Sequence, residues 1–99
     1  QAPCLLADRA SCEWHSGQAK KAQALVAAAE QALTQPCDTD DRAMASARLA
    51  QVYAALGDEP AAQRHRVASR THYAAHREQQ QRIAALLDDA LAGLEPAQV

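Results

Sequence analysis

Three histidines in the second half of this 99-residue chain have the spacing of metal ligands on one helix face. Drawn on a helix at 100° per residue, His65, His72 and His76 fall within an arc of about 40°. His72 and His76 also have the i, i+4 spacing with which two imidazoles bind one zinc ion, and His15 is a further candidate ligand. Between the pair there is no acidic residue of the kind that a zinc metalloprotease helix carries. The pattern therefore predicts, at most, a metal-binding helical bundle.

A second interpretation of the same histidines is structural. On the helix drawn above, the stripe continues into Ile83, Leu87 and Ala90, which are residues typical of a packing face. Histidines on such a face more often lie at a helix–helix contact or a subunit contact than around a metal ion. We therefore keep metal binding by His65 and its two neighbours as the alternative, and we predict no cofactor.

Basic residues line another face of the same segment. Arg66, Arg70 and Arg77 lie on this face together with Tyr73, and residues 64–82 contain five arginines against one acidic residue. Such a basic stripe can attract an acidic protein surface. Its simpler interpretation is a solvated helix face.

No set of residues indicates an enzyme. The four serines lack the strand–turn–helix motif that exposes a nucleophile, and the chain has no glycine-rich phosphate loop. The acidic residues are scattered at predicted loops and helix ends, without a pair that would form a general acid–base site. We therefore predict a protein without catalytic residues.

Four predicted helices position these side chains. They cover about residues 3–15, 18–33, 39–56 and 59–94, and all four show the spacing of helical packing faces or helix start and stop signals. Gly17 and Gly57 lie at the two turns and are 40 residues apart, with similar residues after each, which indicates a weak internal repeat. We expect one all-α domain, a small bundle of antiparallel helical hairpins, with residues 1–34 as the first helical pair and 38–94 as the second.

The fourth helix is much longer than the others. No residue breaks its pattern before about Leu94, which gives a helix of about 50 Å. Its second half carries a strongly apolar face that includes Leu87 and Leu91. Either the chain turns near residues 79–81 and packs back, or the helix extends beyond the bundle and meets another chain. We favour the second arrangement and predict a homodimer.

The amino-acid composition limits the size of the core. The chain has 26 alanines, no Phe, one Trp and one Met, so close helix approach must replace bulky side chains. Its net charge of −2 gives no general attraction to nucleic acid or to an anionic membrane. No run approaches the roughly 18 apolar residues of a membrane span. These properties favour another protein as the partner.

Three cysteines, Cys4, Cys12 and Cys37, lie in the first 40 residues, with no C-x-x-C pair that would indicate a zinc site. If the first two helices are antiparallel, Cys4 lies towards Cys37 and Cys12 lies near the turn. A Cys12–Cys37 bridge would then exceed the limit of roughly 7 Å between Cα atoms. We predict a Cys4–Cys37 disulfide with Cys12 free.

The cellular setting is predicted from the same cysteines and from the first residues. Disulfides are typical of small exported domains, and the start Gln1-Ala2-Pro3 is typical of a mature end left by signal-peptide removal. We expect a periplasmic or secreted protein. The alternative is a cytosolic protein with three reduced thiols.

The segment from Leu49 to Ala62 resembles the tetratricopeptide repeat. Leu49-Ala50 matches the Leu-Gly pair of that family, Tyr53 matches the aromatic residue three positions later, and Gly57-Asp58 matches its turn. The sequence departs from the family pattern at three positions, which are Ser46, Arg66 and Ser69. The resemblance covers one repeat, and it implies a stack of helices that binds a peptide or another protein in a groove.

Together these patterns predict a non-enzymatic protein–protein interaction module, namely an exported adaptor, an assembly factor or a secretion-associated subunit. One alternative is a periplasmic inhibitor or immunity protein that binds a toxin, and the other is the metal-binding bundle described above. The predicted partner-binding residues are Arg66, Arg70, Tyr73, Arg77, Leu87 and Leu91.

Overall fold

A computed structural model describes residues 2–94 of the chain, which form four helices. These are α1 (Pro3–His15), α2 (Ala19–Ala32), α3 (Thr39–Ala55) and α4 (Glu59–Leu94), and the described part of the chain contains no strand. The predicted all-α fold class and the long C-terminal helix are therefore confirmed.

Both helical hairpins turn through the same backbone motif. Gly17 and Gly57 adopt positive φ angles of 79° and 86°, a conformation that glycine reaches without strain. After α3, the Gly57 N–H donates to the carbonyl of Ala54, and the next N–H donates to the carbonyl of Tyr53, at 3.1 and 2.9 Å. The same pair of bonds follows α1 at Gly17. Each helix thus ends in a Schellman motif that satisfies its last carbonyls and reverses the chain.

The two hairpins stack through α1 and α3. The thiol of Cys4 lies 4.0 Å from an oxygen of Asp41, and the Arg48 Nε–H donates to Asp8 at 2.9 Å. Because the contacts advance along both helices in the same direction, α1 and α3 run parallel. α4 packs along α3, and α2 packs along α1. This arrangement is compatible with the tetratricopeptide resemblance.

Small side chains form most of the core. Leu49 is the largest side chain with essentially no exposure, and Val26, Val52 and Leu6 are nearly as buried. Alanine contributes the other fully buried apolar positions and lets the helix backbones approach closely. The alanines with no exposed surface are Ala7, Ala10, Ala22, Ala29, Ala43, Ala45 and Ala62.

The long helix α4 leaves the bundle after about Gln80. Residues 76, 79 and 80 line a pocket together with Thr39, at the start of α3. Every residue from 81 to 94 is exposed, and this segment, which we call the overhang, is about 21 Å long. The alternative in which the chain turns back near residues 79–81 is therefore wrong. Across residues 2–94, no helix has both the length and the apolarity needed to cross a membrane.

The three cysteines are free thiols in this structure, so the predicted Cys4–Cys37 disulfide is not formed in it. Cys4 lies on the first turn of α1 and its Sγ faces Asp41, four residues beyond Cys37. Burial of the Cys4 thiol and the nearby carboxylate of Asp41 raise its pKa. The expected position of Cys4, towards Cys37, agrees with this contact, and the pairing itself stays a prediction.

Replacing Ala62 by Leu tests the close packing of α4 on α3. Ala62 is fully buried, so the extra carbons must displace a neighbouring helix at a cost of about 1–3 kcal/mol. We expect a melting temperature clearly below that of the wild type, measured by circular dichroism. Ala74→Leu, at an exposed position of the same helix, is the control and should melt like the wild type. An unchanged melting temperature in Ala62→Leu would contradict the packing.

Candidate functional site

Three polar side chains from three different helices meet at one point, which we call the three-helix junction. Nε2 of the buried His65, on α4, is hydrogen-bonded to Oε1 of Glu30, on α2. The Tyr53 hydroxyl, on α3, donates to the same oxygen at 3.1 Å. The rings of Tyr53 and His65 stack with centroids 5.4 Å apart and 9° between their planes. One carboxylate and two stacked rings therefore connect α2, α3 and α4.

The junction uses His65 for packing and hydrogen bonding. Its Nε2 is occupied by Glu30, and its Nδ1 is buried without a hydrogen-bond partner among residues 2–94. His72 and His76 are half-buried further along α4, and His15 lies beside Val52 at the far end of α1. The structure thus gives His65 the structural role that was the second interpretation of the histidine stripe.

The described residues contain one group of at least three potential metal ligands within 4.8 Å of one another, and it includes no histidine. Its members are Asp38, Asp40 and Asp41. His65, His72 and His76 therefore do not form such a group in the part of the chain that the structure describes. Metal binding by these histidines stays a prediction without support from the geometry.

The environment of Tyr53 favours its neutral form. Burial, followed by the charge of Glu30 and the hydrogen bond to it, raises the pKa of Tyr53 from 10.0 to about 12. The phenol therefore remains protonated at neutral pH and keeps donating to Glu30. α4 makes no close backbone contact with any described helix besides α3, and the hydrogen bond between Glu30 and His65 joins α2 to α4 through side chains.

An open groove of about 530 Å³ runs between α3 and α4 on another side of the bundle. We call this feature the α3–α4 groove. Its lining combines small side chains with two arginines and one amide side chain. The lining residues are Ala47, Ala50, Gln51, Ala54, Arg66, Ser69 and Arg70. The Ser69 hydroxyl also donates to the carbonyl of Ala43 at 3.0 Å, which fixes α4 against α3 along the groove.

The two arginines of the groove differ in their partners. Arg66 donates to Glu59 at 2.6 Å and to Gln63 at 3.1 Å. Arg70 is exposed, and within residues 2–94 it has neither a hydrogen-bond nor an ion-pair partner. A guanidinium carries five donors in a planar fork suited to carboxylates. Arg70 therefore offers the groove an unneutralised positive charge.

A smaller pocket of about 220 Å³ extends the groove towards α1. It shares Ala47 and Gln51 with the groove and adds two large exposed side chains, Met44 and Tyr73. The exposed fractions of Met44 and Tyr73 are 52% and 46%. Side chains of this size supply apolar contact area beside the charges of Arg70.

The structure therefore divides the predicted partner-binding residues between two places. Arg66, Arg70 and Tyr73 line the groove or its extension, and Leu87 and Leu91 lie on the overhang. Arg77 is exposed one turn beyond Tyr73.

Sequence reasoning found the α4 side of the groove and missed its α3 side. The α3 side consists of Met44, Ala47, Gln51 and Ala54, together with the buried Ala50. The first four recur at intervals of 3, 4 and 3 residues, which is the spacing of one helix face. That signal was present, but alanine and glutamine are equally typical of a solvated face.

Removing the carboxylate of Glu30 tests the three-helix junction. Glu30→Ala leaves the Tyr53 hydroxyl and the buried His65 without their shared acceptor, which costs about 1–3 kcal/mol. We expect this loss in the free energy of unfolding measured with urea. Glu78→Ala, which removes an exposed carboxylate from α4, is the matched control and should stay within about 0.5 kcal/mol of the wild type. Equal effects of the two variants would show that the junction contributes nothing.

The raised pKa of Tyr53 predicts an alkaline loss of stability. The folded phenol holds its proton up to about pH 12, whereas the unfolded phenol loses it near 10.0. The linked stability is therefore fully present below about pH 10 and is lost as the pH rises towards 12. Phenolate absorbance of a Tyr73→Phe variant, in which Tyr53 is the remaining tyrosine, measures this titration. A midpoint near pH 10 in the folded protein would contradict the burial and the Glu30 contact.

Comparisons with known proteins found no match to this chain among protein-family models, curated proteins or solved structures.

Proposed function

We propose that this protein is a non-enzymatic adaptor whose α3–α4 groove binds an acidic helical segment of another protein. The observation that carries the proposal is Arg70, which has no partner among residues 2–94, beside a floor of small side chains, Ala47, Ala50 and Ala54. Binding of an amphipathic helix in a groove between two helices is a common mode of peptide recognition.

The floor of the groove suits a helix rather than a small polar molecule. Alanine side chains allow the backbone of a third helix to approach α3 and α4 closely, since helix axes pack about 8–10 Å apart depending on the side chains between them. Met44 and Tyr73 lie at one end of this floor and are both about half exposed. They are suited to contact the apolar face of a bound helix, because large amphipathic side chains supply much of the energy at interfaces.

The charges of the groove select an acidic segment. Arg70 has no described partner, whereas Arg66 is already paired with Glu59 and Arg48 with Asp8. A carboxylate that binds Arg70 therefore gains a charge-assisted hydrogen bond without breaking an existing ion pair. We place this adaptor in the exported setting predicted from the cysteines.

Binding of designed amphipathic peptides tests the proposal. The peptides share one apolar face and carry Glu, Gln or Lys on the polar face, and fluorescence anisotropy reports binding. We expect the Glu peptide to bind best and its affinity to fall about tenfold or more in Arg70→Glu, which corresponds to about 1.4 kcal/mol. The charge-matched control is Lys20→Glu, at an exposed position of α2, and it should bind like the wild type.

A steric variant separates the groove from general electrostatic attraction. Ala54→Trp fills the floor at an exposed position, so it should abolish binding without lowering the melting temperature. The proposal fails if the three peptides bind alike, if Lys20→Glu weakens binding as much as Arg70→Glu, or if Ala54→Trp binds normally.

A further inference from the structure

The overhang carries a continuous apolar face that nothing in the described chain covers. Its large side chains have exposed fractions between 42% for Ile83 and 77% for Leu94. Together with Ala90 they form the overhang stripe, which consists of Ile83, Leu86, Leu87, Ala90, Leu91 and Leu94. Soluble proteins rarely leave such a contiguous patch open unless it is an interaction site.

The overhang stripe continues the face by which α4 packs on α3. His65 and Ser69 contact Tyr53 and Ala43 of α3, and at 100° per residue their face leads directly into Ile83 and Leu87. α3 begins at Thr39, beside residues 76–80 of α4. Beyond that point α4 presents a packing face of larger side chains, without the antiparallel neighbour that α3 provides earlier.

The spacing of the stripe reads the same in both directions. Its six positions are separated by 3, 1, 3, 1 and 3 residues, so an antiparallel copy of the stripe meets an identical pattern. Ile83 then lies beside Leu94 of the partner subunit, and Leu87 lies beside Ala90 of the partner subunit. Positions 83, 87, 90 and 94 also have the alternating spacing of a coiled-coil seam.

The lengths of the helices match this register. When Ile83 lies beside Leu94 of the partner subunit, the described part of the partner helix covers the overhang and reaches the residues of α4 just beyond the start of α3 at Thr39. The partner helix thus occupies the place along α4 that α3 leaves open. Asp88 and Asp89 lie on the opposite side of the overhang, about 130° from the centre of the stripe, and remain in water.

We propose that the overhang pairs with the overhang of a second copy, as an antiparallel two-fold dimer. A self-complementary two-fold contact is the commonest form of soluble homodimer. Burying a Leu or Ile side chain removes on the order of 100 Å² of apolar surface. The ten large side chains of two stripes, already partly covered, thus supply on the order of 600 Å², to which their flanks add.

This area indicates a weak dimer. Specific, stable interfaces bury about 1,200–2,000 Å² in total, so the paired overhangs, at on the order of 600 Å² plus their flanks, lie below that range, where weak and transient contacts are found. The dimer therefore dissociates on dilution. Because the stripe lies outside the α3–α4 groove, dimerisation and peptide binding are independent and can fail separately.

Sedimentation equilibrium over a range of concentrations tests the pairing. The wild type should shift from monomer to dimer as its concentration rises, and Leu87→Asp should remain monomeric with unchanged helicity and melting temperature at low concentration. The matched control is Ala85→Asp, which places the same charge on the opposite, exposed face of the overhang and should dimerise like the wild type. A monomeric wild type at the highest concentration, or equal loss of the dimer in both variants, overturns the proposal.

Disulfide trapping tests the direction of the pairing. In a background where Cys4, Cys12 and Cys37 are replaced by Ser, a mixture of Ile83→Cys and Leu94→Cys chains should form the mixed disulfide on oxidation. Leu94→Cys alone should not cross-link, since the antiparallel register separates the two copies of position 94 by about 16 Å along the helix. Efficient cross-linking of Leu94→Cys with itself, or failure of the mixed pair, overturns the antiparallel arrangement.

Discussion

Close contact between alanine-lined helix faces is the constraint on which this structure depends. Among residues 2–94, seven alanines have no exposed surface and Leu49 is the largest fully buried side chain, so each helix pair buries little area for its length. Stability in such a bundle comes from short distances between backbones rather than from large side chains. A small enlargement at a buried alanine therefore disturbs a whole helix. The same shortage of large side chains leaves broad helix faces uncovered, and these faces form the groove and the overhang stripe.

The three-helix junction compensates for this thin core at the place where the two hairpins meet. α2 and α4 make no close backbone contact, and the hydrogen bond between Glu30 and His65 joins them directly through their side chains. The carboxylate of Glu30 accepts hydrogen bonds from Tyr53 and His65. These bonds stabilise the contact and also restrict the relative orientation of the helices, because hydrogen bonds lose strength when they are misaligned. The junction thus restricts how α2 of the first hairpin is oriented on α3 and α4 of the second.

The sequence was sufficient to predict the four helices, both glycine turns and the length of α4, because these depend on local signals. It did not predict Glu30 as the partner of His65, since helical periodicity specifies a face but not the angle between two hairpins. It favoured the extended form of α4 and left the turned-back form open as the alternative. Gln79, Gln80 and Gln81 are good helix formers, and the extended form follows from their propensity without any tertiary contact. The α3 side of the groove was missed because alanines and a glutamine give no chemical signal.

The uninterrupted course of α4 has a mechanical consequence. Arg70, in the groove, and Leu87, in the overhang stripe, lie on the same unbroken helix. The helix therefore holds the groove and the stripe about 25 Å apart along its axis and at a fixed angle around it. Inserting one residue between positions 77 and 82 would turn the overhang by 100° relative to the groove, whereas inserting seven would nearly restore the phase. The length of α4 therefore determines the distance and the angle between the groove and the overhang stripe, just as its side chains determine what each surface can bind.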